Sequence, residues 1–415
     1  MSDVYDKPSA GELFNGGRQL ALPGVSTVIR DKFQTLTRSN LPDTIRLAVI
    51  GRRNSEATPD PDAAADFTPV IVRTEQQVVD HFGEGSELHR GFLEAVSAGA
   101  PRVVLISWGD ETDVNWAEDL GDGITRLDRA FEAAEAVQAD IIVPWGRGGD
   151  VDEPDIGLYA DDQGLLTEVA NKCKEITDRS NPCFAVMGVS PAVGTDGLGS
   201  SDLTSHIDGL ELDPRESIHP YVCVVVTELR PVGYLRALGF QQGDDEAPWA
   251  NGAATYGGFL ATLQPEVAST GKRLYNIREL RYAPTRVQQE EMVGLGLTPV
   301  KQNFSREAVV VDGLTYSPEG SDYARLSTLR IVFAAIELVR QTAENYVGYP
   351  ATMHHRNAMD TAIGSQLRGL IVEGALIDAD YNIAYAAAEN TARIDLILTP
   401  AFEMRNIEVS ISIRL

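Results

Sequence analysis

Apolar positions along this 415-residue chain change period several times, and each change marks an element. Short runs rich in β-branched residues at 45–50, 70–72, 103–106, 141–143, 184–186 and 221–226 read as buried strands. Between them Leu127, Ala130, Phe131, Ala134 and Val137 fall at three- and four-residue steps, as do Leu166, Val169, Ala170, Cys173 and Ile176. That spacing puts one apolar face on a helix, and helices alternating with strands over residues 44–245 predict an α/β layered domain.

Further on, Gly296, Pro299, Gly313 and Pro318 punctuate short strands at 300–302 and 308–311. Then comes the longest helical pattern: Leu326, Leu329, Val332, Phe333, Ile336, Val339, Ala343, Tyr346 and Val347 form one stripe, and Pro350 stands past its end as a stop. A second helix over 362–372 ends at Gly374, with strands at 375–385 and 393–398 after it.

The two ends differ from this body. Residues 1–23 are polar and broken by Pro8, Gly11, Gly16, Gly17 and Pro23, too little apolar surface for a core, and read as an arm. Val25, Val28 and Ile29 then make a short strand. At the other end Ile407, Val409, Ile411, Ile413 and Leu415 alternate with Glu408, Ser410, Ser412 and Arg414, a strict period of two. Such a strand buries one face, and an amphipathic strand left alone at an edge aggregates unless something pairs with it.

Charge narrows the function classes. Acidic residues outnumber basic ones 61 to 35, a net charge of −26 that repels phosphate backbones and excludes a broad nucleic-acid face. No apolar run reaches the roughly 18 residues of a membrane span, and the opening residues are acidic where a secretory signal is basic, so no membrane partner and no signal peptide are expected. The cysteines Cys173, Cys183 and Cys223 form no CxxC pair, which fits a reducing, cytoplasmic folding compartment.

Candidate chemistry is sparse. Gly188-Val-Ser190-Pro191 has the outline of a nucleophile elbow, but the second glycine is missing and Pro191 has no N–H where an oxyanion donor belongs, so a turn is expected. Gly146, Gly148 and Gly149 come after a strand but match neither phosphate-loop spacing. The histidines at 81, 89, 206, 219, 354 and 355 lack the i, i+4 spacing of a zinc pair, and the acidic clusters at 60–66, 150–155 and 243–246 lack the calcium-loop pattern. No catalytic residue, cofactor or metal is expected.

Several segments, in order along the chain, resemble contractile tail sheath proteins. Pro23-Gly24-Val25 after the leader is similar to their opening motif. The stretch from Val78 through Phe82-Gly83, Gly91 to Gly99 and the strand from Arg102 to Ile106 is similar to their helix, FG turn and strand. Gly252 to Ala261 with Leu274 to Leu280 resembles their middle region. Gln288 to Gly296 with Pro299-Val300 is similar to their helix, glycine and strand step, and the 326–346 helix to their long helix. Gly369 to Leu376 resembles their C-terminal end. Pro144 and Trp145 depart from the Pro-Gly-like turn of that pattern, and large outer insertions are lacking.

The resemblance implies a multi-domain mixed α/β subunit: an N-terminal arm and strand over 1–35, an outer α/β domain over 36–245, an inner α+β assembly domain over 246–403 and a C-terminal arm strand over 404–415. It implies a structural subunit and not an enzyme. Copies polymerise as stacked hexameric rings around a tail tube and contract to drive that tube through a host envelope. Partners would be neighbouring sheath subunits, the tube protein, and baseplate and terminator proteins. The place would be the tail of a virion assembled in a host cytoplasm. Val25, Val28, Ile29, Ile407, Val409, Ile411, Ile413 and Leu415 would carry the inter-subunit strands, added to neighbours' sheets by β-augmentation. Two alternatives stand beside it: the sheath of a non-phage injection system, and a soluble α/β hydrolase or nucleotide-binding enzyme, which would have a defined concave pocket.

Overall fold

The computed structural model describes residues 46–54, 65–110, 115–121, 123–145, 158–179, 181–190, 200–240, 249–386, 391–401 and 403. The first half runs β1 (Leu47–Arg53), β2 (Val70–Val72), α1 (Glu75–Phe82), α2 (Glu87–Ser97), β3 (Val103–Asp110), α3 (Arg126–Ala136) and β4 (Ile141–Pro144). Next come α4 (Leu165–Arg179), β5 (Phe184–Gly188), α5 (Ser200–Asp208), β6 (Val222–Val226), β7 (Leu229–Pro231), α6 (Val232–Ala237) and α7 (Ala253–Leu260). The rest is β8 (Ile277–Leu280), α8 (Arg286–Gly294), β9 (Thr298–Gln302), β10 (Ala308–Val310), α9 (Leu326–Glu344), α10 (Met353–Val372), β11 (Leu376–Ala386) and β12 (Thr391–Pro400).

One eight-stranded sheet organises the body, in the order β10-β9-β6-β5-β4-β1-β3-β2. From β9 to β3 every neighbouring pair is parallel, and an antiparallel strand closes each side, β10 on β9 and β2 on β3. Parallel strands are covered on both faces, which is why β6 reads Val-Cys-Val-Val-Val without alternation and is buried throughout. The α/β layered reading of the strand runs therefore holds.

The sheet does not stop at residue 245. β9 and β10 return from beyond it to extend the same sheet, and α7 packs on β1, β4, β5 and β6. The main core accordingly runs from Leu47 to Ile336 without a break at the expected boundary. The packing divides inside α9 instead. Leu326, Leu329, Val332, Phe333 and Ile336 enter the main core, whereas Ile331, Ala335 and Val339 join Met359, Ile363, Leu367 and Leu370 of α10 in a second one. A helix buried on two sides is a spine between two cores.

Charged side chains hold that spine. The Arg46 guanidinium donates to Asp140 Oδ1 and to Glu337 Oε1 of α9, both at 3.1 Å. Arg340 donates to the Thr177 carbonyl at the end of α4, 3.0 Å away. Arg330 is wholly buried and donates to the carbonyls of Leu260 and Leu263 at 3.0 and 2.7 Å, satisfying the C-terminal end of α7; burial lowers its pKa to about 10.

Every residue of α7 is buried. Glycine is what lets it sit there: a Cβ on Gly258 would lie 2.4 Å from the Ala95 carbonyl of α2, and one on Gly257 2.8 Å from Val143 of β4. Near its first turn lies Glu94 of α2, fully buried, whose Oε1 accepts from the Trp145 indole at 3.0 Å.

Candidate inter-subunit strand-pairing site

The feature most unlike the core of a closed globule is the antiparallel pair β11–β12. Its strands are 11 and 10 residues long, about 33 Å of ladder at the usual rise, and among the described residues they form a two-stranded sheet. Register is regular from Asp378↔Thr399 to Ala386↔Thr391, with one irregularity at Ile377. Each strand thus has one edge whose N–H and C=O groups meet no second strand among the described residues.

Strand alternation decides which face is held. Ala379, Tyr381, Ile383 and Tyr385 of β11 and Ile394, Leu396 and Leu398 of β12 pack on the second core. The other face carries Asp378, Asp380, Asn382, Arg393 and Asp395, with Ile377 and Ile397 each 62 % exposed. A two-stranded hairpin is marginal in water by itself; here α9 and α10 supply the apolar floor.

The docking is specific. Tyr381 Oη donates to the Asp360 carbonyl of α10 at 2.9 Å, and the Arg356 guanidinium lies 4.4 Å from the Tyr385 ring centroid. Tyr381 fits because α10 has Gly364 below it, where a Cβ would stand 2.5 Å from the hydroxyl. Gly364→Val is therefore expected to push Tyr381 out and destabilise the second core by roughly 1–3 kcal/mol, read as a lower urea midpoint. An unchanged midpoint would mean that Tyr381 does not anchor the hairpin.

Beyond β12 the chain leaves the hairpin at a clamped point. Ala401 N–H donates to the Ala375 carbonyl at 3.1 Å. The Glu403 carboxylate accepts from Thr270 and Ser327 at 3.4 Å and lies 3.6 Å from Arg325. The proposed arm residues Val25, Val28, Ile29, Ile407, Val409, Ile411, Ile413 and Leu415 all lie outside the described residues, as do Gly146, Gly148 and Gly149. Sequence reasoning passed over the hairpin as a site, although its paired strand runs at 375–385 and 393–398 were the available signal.

The other candidates sit in structural roles. The Ser190 hydroxyl donates to Asp161, whose other oxygen accepts the Ser190 N–H at 2.7 Å, so a carboxylate and not an imidazole holds this serine. His89 Nδ1 accepts from Gly85 N–H at 3.0 Å and Nε2 faces Glu75 at 3.3 Å, the neutral tautomer that burial favours by lowering its pKa. At the C-terminal end of β1, where open α/β sheets bind ligands, Arg52 is engaged by Glu87 at 2.5–2.9 Å in a buried ion pair. A second such pair, Arg281–Glu228 at 2.6 Å, lies just past β6. The three cysteines are buried free thiols, and burial raises the Cys223 thiol to about 12. Among the described residues no group of three His, Cys, Asp or Glu side chains is placed to hold a metal ion, and no helix is long and apolar enough to cross a membrane.

No family model and no curated protein matches the chain. Solved structures do. The helical sheath of the anti-feeding prophage in its contracted state aligns with a TM-score of 0.62 at 14% identity, over 95% of this chain and 99% of that one. The sheath complex of the extracellular contractile injection system PVC, also contracted, gives 0.61 at 10% identity over 95% and 98%. The sheath tail protein of Listeria innocua gives 0.57 at 12% identity over 88% and 93%. Nearly the whole length of each is spanned, so the likeness seen in the sequence is a likeness of complete folds: this chain is folded as contractile sheath proteins are.

Proposed function

We propose that this chain is the structural subunit of a contractile sheath and works by self-assembly, with no catalytic residue. The observation that carries the reading is the long β11–β12 ladder, floored by α9 and α10 and with no third strand on either edge among the described residues, in a molecule with the sheath fold. An open edge on a rigid floor accepts another chain's strand. The segment 407–415 has the alternation such an edge takes: its apolar side would continue the floor-facing row of Tyr381, Ile383 and Leu396 of a neighbour, and its Glu, Ser and Arg side the polar face. Residues 25–29 supply the second strand.

Donation from one copy to the next is a heterologous contact that does not close on itself, so it builds a tube. Ladders joined through arms persist while the subunit bodies turn against one another, and the two packings of those bodies are the extended and contracted states. In this reading the hairpin core and arms form the assembly layer, copies stack as hexameric rings around a tail tube, and the sheath meets baseplate and terminator proteins at its ends. The setting is a phage tail assembled in the host cytoplasm. The alternative setting is a non-phage contractile injection system, which the aligned sheaths of the anti-feeding prophage and PVC support.

Electron microscopy of the purified full chain tests the proposal: rings or long cylinders are expected. Compact particles that stay monomeric at every concentration would end it, and would favour the enzyme alternative.

A further inference from the structure

The turn between β9 and β10 presents an aromatic ring wholly to solvent. Phe304 is 110 % exposed, the most exposed large apolar side chain among the described residues, and the turn beneath it is firmly built. Asn303 Oδ1 accepts from Glu307 N–H at 2.9 Å, Asn303 Nδ2 donates to Glu307 Oε2 at 2.8 Å, and Arg306 N–H donates to the Asn303 carbonyl at 3.0 Å. Arg306 holds φ at 59°, the left-handed region where glycine or asparagine is usual, so a cation is kept at the tip against backbone preference.

Cations flank the turn along the chain: Lys301 precedes Phe304, Arg306 follows it, and the Lys272 carbonyl accepts from Val310 N–H of β10. Val309 lies opposite Lys301 in the β9–β10 ladder and bridges to Arg273 on its other side, which sets Arg273, Val309 and Lys301 in one row. Arg273 is paired with Glu307. Lys272, Lys301 and Arg306 make no ion pair among the described residues, whereas Lys172 and Lys174 are held by Asp128 and Asp178. Unneutralised cations on and beside a hairpin whose turn exposes an aromatic ring, on a chain of net charge −26, are a local reversal of sign.

The geometry points to the 301–306 turn with Lys272 as a docking knob for the acidic surface of a second copy of this chain. It rests on the self-assembly reading: copies of charge −26 repel one another, and a lattice of them needs a cationic contact with a desolvated anchor at its centre. A negatively charged lipid surface would be repelled by the rest of the molecule.

The test uses the full chain, with Phe304→Ser, the double variant Lys301→Glu with Arg306→Glu, and a benzoylphenylalanine photo-cross-linker at 304. Both variants should keep the wild-type melting temperature, because Phe304 and Arg306 are exposed and the half-buried Lys301 makes no ion pair among the described residues. They should raise the concentration at which cylinders form about tenfold. Wild-type assembly should weaken with salt and that of the charge-reversed variant should not. The cross-link should join 304 to an Asp- or Glu-containing peptide of another copy. Wild-type chain assembling beside variants that assemble equally well overturns the knob alone. So does a cross-link to lipid, to a different protein or to a peptide without acidic residues. Wild-type chain that never assembles overturns the sheath reading as well.

Discussion

A chain lacking residues 404–415 is expected to fold, stay soluble and form no cylinders. Among the described residues both cores are built between Leu47 and Leu398, and these supply the main sheet and the α9–α10 pair. The loss falls on the link between copies. Ile407, Val409, Ile411, Ile413 and Leu415 would each contribute roughly 1.5–3 kcal/mol on burial in a neighbour, before the cost of ordering the arm. Even a net loss of about 3 kcal/mol per contact shifts association roughly a hundredfold. Val409→Asp with Ile411→Asp should act the same way at full length, since a one-residue slip that hides the carboxylates would expose every remaining apolar side chain. Circular dichroism and a urea transition report the fold; sedimentation and microscopy report the assembly. Cylinders of normal length from the truncated chain would refute arm linkage, and a chain that fails to fold would place the strand in its own subunit's core.

How far the sequence revealed this structure depended on whether a signal was local. Strand β2 falls at 70–72 as its β-branched run predicts, and β3, β4, β5 and β6 overlap their expected runs. The α9 pattern was legible because its apolar residues recur over many turns, and the hairpin strands because each is long. Three things were not legible. The return of β9 and β10 to the main sheet is long-range pairing that no local period encodes, which is why the alternation of local patterns ends at 245. Helix α7 reads Ala-Ala-Thr-Tyr-Gly-Gly-Phe-Leu, where two glycines argue against a helix; close approach to Ala95 and Val143 overrides that propensity. Helix α10 begins at Met353, ahead of the expected 362, because Thr352 caps it by accepting from His355 N–H while its first turns are largely exposed and carry no apolar stripe. Within the candidate site, the floor of the hairpin could be read as two alternating strands. That its outer edges meet no further strand among the described residues could not, since strand neighbours are a property of the whole topology.

Buried charge was the other silent feature, and Glu94 gives it a measurable consequence. In sequence it is an ordinary glutamate on an amphipathic helix; in the fold it is wholly buried, and its Oε2 has no hydrogen-bond partner among the described residues. Desolvation pushes its pKa up to about 8, and the Trp145 indole, Arg90 and the Thr255 amide offset only part of that push. The sign depends on where the proton sits. Below about pH 4.5 the carboxyl is protonated in both folded and unfolded chains and costs nothing. Between about 4.5 and about 8 the unfolded chain releases the proton while the folded chain keeps it, so stability falls as pH rises; above about 8 both are ionised and the loss levels off. At pH 7 the cost is about 3 kcal/mol, from 1.36 kcal/mol for each pH unit between 4.5 and 7. Glu94→Gln keeps an oxygen for the Trp145 indole and removes the titration. The variant is expected to match the wild type near pH 4 and to exceed it by roughly 3 kcal/mol at pH 7, measured by urea unfolding of dilute, unassembled chain. A stability difference that stays constant from pH 5 to pH 9 would show that Glu94 does not hold its proton in the fold.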